Sequence, residues 1–202
     1  MELVNNDGLL SKQFYLQDTR DVARSLLGKR LCRETDTGII SATSVETEAY
    51  LYDDPASHSF RGKSNRNAPM FGPPANTYVY LSYGVHDMLN IVTAPEGVGE
   101  AVLIRAAFPA DGIEIMRRHC HKPDTPMHRL AAGPGLVAKA FGISRKIDNG
   151  IDVTTKAGGI WIENGDDIPA ELVVVTTRIG LTQAAEELWR FYIKGNEAVS
   201  RK

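Results

Sequence analysis

Gly38-Ile39-Ile40-Ser41-Ala42-Thr43-Ser44-Val45-Glu46-Thr47-Glu48-Ala49-Tyr50 is the stretch that decides the fold. Its side chains alternate in character, which is the period of a β-strand. On a strand, residues two apart share a face. Glu46, Glu48 and Tyr50 therefore point the same way, with the Glu48 carboxylate beside an aromatic ring. That pairing suits a general base next to a stacking platform for a planar substrate. It also suits an edge strand that carries charges to block aggregation, with a half-buried tyrosine.

Working outward, Thr35-Asp36-Thr37-Gly38 reads as a turn, and residues 29–34 as the strand before it. Residues 18–27 read as a helix opened by Asp18 and closed near Gly28, with Val22, Ala23, Leu26 and Leu27 at helical spacing. Downstream, residues 52–76 are rich in Pro, Gly, Asn and Ser and predict a long irregular segment, often a functional one. Strands are expected at 77–83, 88–93 and 101–107, with Tyr83 at the tip of a bend before Gly84. Helices are expected at 111–118, opened by Asp111, at 134–141, opened by Gly133-Pro134, and at 182–188. Short strands near 159–163, 171–178 and 190–194 complete the chain. The expectation is a mixed α+β fold over residues 1–202. It would be a single domain with a curved, mainly antiparallel β-sheet surrounded by α-helices.

The totals exclude several classes. With 202 residues, 43% hydrophobic and 24% charged, the chain is an ordinary globular one. No apolar run approaches the roughly 20 residues that span a bilayer, and Met1–Asp7 lacks the pattern of a secretion signal. An intracellular protein without a membrane partner is expected: cytoplasmic or nucleoid if bacterial, nuclear if eukaryotic. Cys32 and Cys120 alone make a disulfide framework unexpected. Residues 105–146 carry eight basic side chains and three acidic ones in a chain of net charge −2, so basic segments stand on an acidic background. Such a distribution suits either one face against a polyanion or solvated helix faces. His119-Cys120-His121 with His128 lacks the ligand spacing of a zinc site, and no metal is expected.

Ordered blocks then bring in a resemblance. They are Glu48-Ala49-Tyr50, Ala56-Ser57-His58-Ser59, Arg66-Asn67-Ala68-Pro69-Met70-Phe71-Gly72-Pro73-Pro74 and Tyr78-Val79-Tyr80-Leu81-Ser82-Tyr83-Gly84. Asn90-Ile91-Val92, Leu103-Ile104-Arg105-Ala106, Arg178-Ile179-Gly180 and Arg190-Phe191-Tyr192-Ile193-Lys194-Gly195 continue the series. Over about residues 11–200 the chain resembles the alkyladenine DNA glycosylases, the monofunctional 3-methyladenine DNA glycosylases of mixed α/β fold. The resemblance implies a base-excision-repair enzyme acting on double-stranded DNA with alkylated or deaminated purines. It implies a monomer with no cofactor and no lyase step. Glu48 matches the general base that activates water. Arg105 matches the arginine that holds that water, and the main-chain carbonyl of Ile179 a third contact. Tyr50, His58 and Tyr80 match the walls that sandwich the flipped base. Asn90 matches the pocket-floor residue that excludes the exocyclic amino group of guanine. Tyr83 matches the side chain inserted into the duplex.

General chemistry fits these roles. Enzymes acting on a sugar–base bond take the nucleotide out of the stack. An alkylated purine is electron-poor and often cationic, so electron-rich ring faces attract it. A carboxylate stabilises an oxocarbenium-like sugar and deprotonates water. Three features depart from the family pattern. Val85-His86-Asp87 follows Tyr83-Gly84 where a Met and aromatics are usual, Leu136 stands where a lysine usually follows Gly-Pro-Gly, and the long basic N-terminal extension is missing. Asp87 and Leu136 predict weaker attraction to the DNA backbone. Two other readings compete: a binding module that has kept the fold without turnover, and a carbohydrate hydrolase. The hydrolase would use Glu46 and Glu48, about 7 Å apart on one face, as its acid–base pair.

Overall fold

The computed structural model describes residues 2–201. Among them, eight strands form one curled, wholly antiparallel sheet, and four α-helices pack on it. The strands are β1 (Arg30–Thr35), β2 (Gly38–Tyr50), β3 (Thr77–Ser82), β4 (His86–Thr93), β5 (Glu100–Asp111), β6 (Ile160–Glu163), β7 (Val173–Thr176) and β8 (Arg190–Ile193). Their order is β3-β4-β5-β2-β1-β6, with β8 joining β2 beyond β1 and β7 pairing with β8. None of the helices is long and apolar enough to cross a membrane.

β2 is the spine of the sheet and not an edge. β5 runs along one side of it, and β1 and then β8 share the other. Residues 44–49 are buried on both faces, including Glu46, Thr47 and Glu48 at 0% exposure. The β2–β5 ladder slips three times, first where Ser41 pairs with Asp111 and Ala42 with Pro109, so that Ala110 is extra on β5. Ser44 pairs with Ala107 and Glu46 with Ala106, so Val45 is extra on β2. Thr47 then pairs with Ile104, so Arg105 is extra on β5. Bulges of this kind bend the strand and re-aim side chains. Two of the three, at Val45 and Arg105, adjoin the candidate site residues.

The helices seal the larger core. α1 (Lys12–Tyr15) and α2 (Thr19–Ser25) lead into β1. Asp18 caps α2 by accepting from the Arg20 amide at 2.9 Å, and Val22, Ala23, Leu26 and Leu27 are buried beneath. α3 (Ile113–Cys120) buries Ile115, Met116 and Cys120. α4 (Pro134–Phe141) starts with proline in its first turn and stops at Gly142 in the left-handed region. Each fully buried aliphatic side chain contributes about 1.5–3 kcal/mol. A second, smaller core of Met70, Phe71, Tyr78, Val92 and Ala101 supports Tyr50 and Tyr80. Its lid is the irregular segment 52–76, which contains one short 3₁₀ turn at Ala68–Phe71. Gly99 permits this packing: a Cβ there would sit 2.6 Å from the Phe71 ring.

Several expectations need correction. No helix forms at 182–188. Thr182, Gln183, Ala185, Glu186 and Leu188 are exposed, and Ala184 sits at φ 45°. The run has no apolar face to bury, and the Ala184 carbonyl turns to Arg178. α3 begins at Ile113, not at Asp111, because β5 runs on to Asp111 and that carboxylate bonds Ser41 at 2.7 Å and pairs with Arg30. The strand expected at 171–178 shortens to Val173–Thr176, because Ala170–Leu172 turns after Pro169. β4 starts at His86, two residues before the expected Met88.

Candidate active site

The aromatic pocket lies where β2, β3 and β4 meet the 52–76 segment. Tyr50, Ala56, His58, Met70, Tyr78, Tyr80, Asn90 and Leu181 line a cavity of about 110 Å³. All four residues expected around a flipped base, Tyr50, His58, Tyr80 and Asn90, are present in it. β3 contributes Tyr78 and Tyr80, which share a face by strand period, their rings 5.7 Å apart. The His58 ring stands at 85° to Tyr80 with centroids 4.5 Å apart, and its Nδ1 meets the Tyr78 hydroxyl at 2.9 Å. Asn67 staples the loop that carries His58, its Nδ2 donating to the carbonyls of His58 (2.7 Å) and Gly62 (3.0 Å). Burial, with the Arg66 charge second, lowers the His58 pKa, so the imidazole is neutral at pH 7 and presents no repulsion to a cationic guest.

Asn90 faces Tyr78 across the β3–β4 ladder. Its Nδ2 donates to the main-chain carbonyls of Tyr78 (3.2 Å) and Met88 (3.3 Å). With the amide nitrogen so engaged, its oxygen is the polar atom left for the cavity.

Beneath the rings sits the buried carboxylate of Glu48. Tyr50 donates its hydroxyl to Oε2 at 2.9 Å, and the Ile179 amide donates to Oε1 at 2.9 Å. Arg105 Nη1 lies 3.4 Å from the same Oε1, and its side chain keeps 11% of its surface exposed. Burial first, then the Glu48 charge, raises the Tyr50 pKa well above the usual phenol value, so this hydroxyl remains a donor. The same two causes push Tyr80 to about 12. Tyr50 and Ile179 thus bond Glu48, and Arg105 lies beside it. Ile179 bonds Glu48 through its amide, a contact not foreseen from the sequence.

Other supports were also missed. Arg178 is fully buried and forks onto the equally buried Asp54, with Nη2–Oδ1 at 3.0 Å, and Nη1 reaches the Ala49 carbonyl at 3.0 Å. Its guanidinium stacks between Tyr50 (4.7 Å) and Trp189 (4.9 Å). Arg178 therefore backs one pocket wall and fixes the peptide that leads to Ile179. The Arg178-Ile179-Gly180 block pointed to the place, but nothing in the sequence pointed to Asp54, which sits in an aperiodic loop. Tyr78, to which the resemblance gave no role, also lines the pocket.

Tyr83 lies apart from these groups. It is 89% exposed, at the tip of the β3–β4 hairpin, whose three-residue loop closes through the Val85 amide to the Ser82 carbonyl at 3.1 Å. Tyr83 and Gly84 take φ 48° and 73°. A non-glycine residue in this left-handed region costs about 1–3 kcal/mol and belongs more often to function than to packing. The face beside it is basic. Arg118, His119, His121 and Lys139 line a groove of about 610 Å³ together with His86 and Asp87. Leu136 borders the adjoining hollow that Tyr83 shares with Gly133-Pro134-Gly135. His119 itself is tied to the Ala140 carbonyl at 2.9 Å. Among the described residues no three His, Cys, Asp or Glu side chains gather as a metal site.

Glu46 belongs to the framework. It is 0% exposed and bound to Arg190 Nε at 2.7 Å, to the Ser200 amide at 2.7 Å and near Arg105 Nε at 3.0 Å. Both Glu46 oxygens are held by arginines and a main-chain amide, the arrangement of a framework ion pair and not of an acid–base partner for Glu48.

Comparison with known proteins agrees with this geometry. The family model of methylpurine-DNA glycosylase matches residues 13–197. Proteins named "Putative 3-methyladenine DNA glycosylase" from Carboxydothermus hydrogenoformans and Methanoculleus marisnigri are each 42% identical over 196 residues. Both alignments cover 96% of this chain, with 100% and 99% of the respective relatives. One of the same name from Mesorhizobium japonicum is 44% identical over 183 residues, covering 91% of this chain and 86% of its own. A match spanning nearly all of both partners places the chain in the methylpurine-DNA glycosylase family.

Proposed function

We propose that this chain is a monofunctional DNA glycosylase, working as one domain and as a monomer. It turns alkylated purines, 3-methyladenine foremost, out of duplex DNA and hydrolyses the N-glycosidic bond. The observation that carries this reading is the fully buried Glu48 carboxylate bonded to Tyr50, one wall of a pocket formed with His58, Tyr78 and Tyr80.

The flipped base stacks against these rings, each cation–π contact contributing about 0.5–2 kcal/mol when the purine is cationic. Tyr50 and the Ile179 amide occupy one lone-pair site on each Glu48 oxygen, and a carboxylate has about four such sites. A site therefore remains to take a proton from water. Arg105 and the Ile179 carbonyl orient that water toward C1′. As the C1′–N bond breaks, its electrons pass to the purine, which leaves as a neutral base when it was cationic. The water oxygen bonds C1′, and its proton goes to Glu48. No lysine is required, so the strand stays uncut. Deaminated purines are secondary substrates of the same pocket. The test is base release from a panel of duplexes, each with one lesion: 3-methyladenine, 7-methylguanine, hypoxanthine or ethenoadenine. Free 3-methyladenine is expected, and a panel without release of any alkylated purine would refute the reading.

Two residues set selectivity and access. Asn90 stands where a 2-amino group of guanine would enter. Asn90→Ser should raise the release of guanine-type relative to adenine-type bases by a factor worth about 1–3 kcal/mol. An unchanged ratio of the two release rates would count against this role. Tyr83 fills the gap left in the stack, as apolar wedges do elsewhere. An aromatic–base stack is worth about 1–3 kcal/mol, so Tyr83→Ala should slow excision from paired duplex by about 5–150-fold. The loss should shrink for a lesion opposite a gap or mismatch, which unstacks at lower cost. Equal loss on both substrates would make Tyr83 a structural residue.

A further inference from the structure

One charged group beside the site has no part in the proposed chemistry. Glu46 precedes Glu48 by two residues on the same face of β2. Its Oε1 accepts from Arg190 Nε at 2.7 Å and lies 3.0 Å from Arg105 Nε, while its Oε2 accepts from the Ser200 amide at 2.7 Å. Arg105 thus stands between two carboxylates, its Nε toward Glu46 and its Nη1 3.4 Å from Glu48. Neither contact is tight: Nε is buried without a hydrogen bond of good geometry. Arg105 is also the bulged residue of β5, so side-chain contacts and not the ladder aim its guanidinium.

The far side of this arrangement is the segment after β8. Ala198 and Val199 are buried against Val45 and Ala106, next to the bulges at Val45 and Arg105. Arg190 bonds the Arg201 carbonyl as well as Glu46. The segment 198–201 therefore clamps Glu46 through the Ser200 amide and through Arg190, which it also holds.

We infer that Glu46, locked by Arg190 and the Ser200 amide, is a positioning residue that holds Arg105 away from Glu48, and that the 198–201 segment thereby controls excision rate without touching DNA in the pocket. Resting on the roles given above to Glu48 and Arg105, the inference has a direct physical basis. An arginine beside two carboxylates divides its attraction. With the Glu46 charge gone, the guanidinium closes onto Glu48 as a two-pronged pair, the favoured arginine–carboxylate geometry. That pair would occupy the lone pairs that take the water proton and withdraw the group that orients the water.

The experiment measures single-turnover excision from a duplex carrying one 3-methyladenine, with maximal rate and half-saturating enzyme concentration read separately. Glu46→Gln should lower the maximal rate by about 10–100-fold, the scale of an ångström-level misplacement, and leave the half-saturating concentration within about twofold. Ser200→Pro, which deletes one donor to the same carboxylate from outside the sheet, should lower the maximal rate in the same way by severalfold. In an Arg105→Ala background neither change should slow the enzyme further, because the group they position is gone. A general loosening of the fold would instead add to the Arg105→Ala loss, and additive losses overturn the inference. So does a parental rate in Glu46→Gln while Arg105→Ala is slow, a result that leaves the reading of the reaction standing. A parental rate in Arg105→Ala overturns both. Should Glu46→Gln fail to show a cooperative unfolding transition, Ser200→Pro decides alone, and an unchanged rate there ends the proposal.

Discussion

Glu48→Gln is expected to cut single-turnover excision of 3-methyladenine by about 10²–10⁴-fold, the usual worth of a positioned general base. At about 1.36 kcal/mol per decade this is about 2.7–5.4 kcal/mol of lost transition-state stabilisation. The change is nearly isosteric. The Ile179 amide can still donate to the amide oxygen, and the rings of Tyr50, His58 and Tyr80 are untouched. Binding of lesion-containing duplex should therefore survive while the chemical step fails. Excision near the parental rate would reject the assignment of Glu48 as the base. A matched loss of binding and rate would instead make Glu48 a structural support for Tyr50.

The second large effect concerns stability. Arg178 and Asp54 are both fully buried and paired, and their neighbours are pocket parts: Tyr50, the Ala49 carbonyl and the peptide preceding Ile179. Breaking a buried pair from one side leaves an uncompensated charge and costs about 3–5 kcal/mol. Arg178→Ala should therefore lower Tm by about 6–20 °C, since 1 kcal/mol shifts a chain of this size by about 2–4 °C. Excision should fall with it, because Tyr50 loses its backing and Ile179 its anchor. The double variant Arg178→Ala/Asp54→Ala should be no less stable than Arg178→Ala alone, because it removes the orphaned charge. Additive destabilisation in the double variant would show that stacking on Tyr50 and Trp189, and not the ion pair, is what matters at Arg178.

Period-two segments were the most legible part of the chain. β2 and the β3–β4 hairpin stand where Glu46-Thr47-Glu48 and Tyr78-Val79-Tyr80 predicted them, with Tyr83 at the exposed tip. The same pattern misplaced one inference. Charges on an alternating strand suggested an edge, yet β2 is central, and its glutamates are buried because Arg105, Arg190 and main-chain amides meet them. Those partners come from strands and loops up to 154 residues away, a distance no local pattern spans. Two features lay wholly outside local reading. The Arg178–Asp54 pair joins two irregular segments 124 residues apart. The segment 182–188 has helix-forming residues, but tertiary contact to the Ala184 carbonyl overrides that propensity. Bulges at Val45 and Arg105 are likewise a property of the paired strands and have no signature in either strand alone.

Asp87 and Leu136 flank the basic face beside Tyr83, where the sequence placed them as departures from the family pattern. An aspartate among Arg118, His119 and Lys139 weakens the local positive field.

A water activated by Glu48, in the proposed reaction, releases an intact base from an otherwise intact strand. The direct measurement follows a duplex with one 3-methyladenine under single turnover, quantifying the free base by mass spectrometry and the labelled strand on denaturing gels before and after alkali. The expected result is one free 3-methyladenine per lesion and a strand that breaks only after alkali. A duplex that keeps its lesion, or a strand cut without alkali, would contradict it.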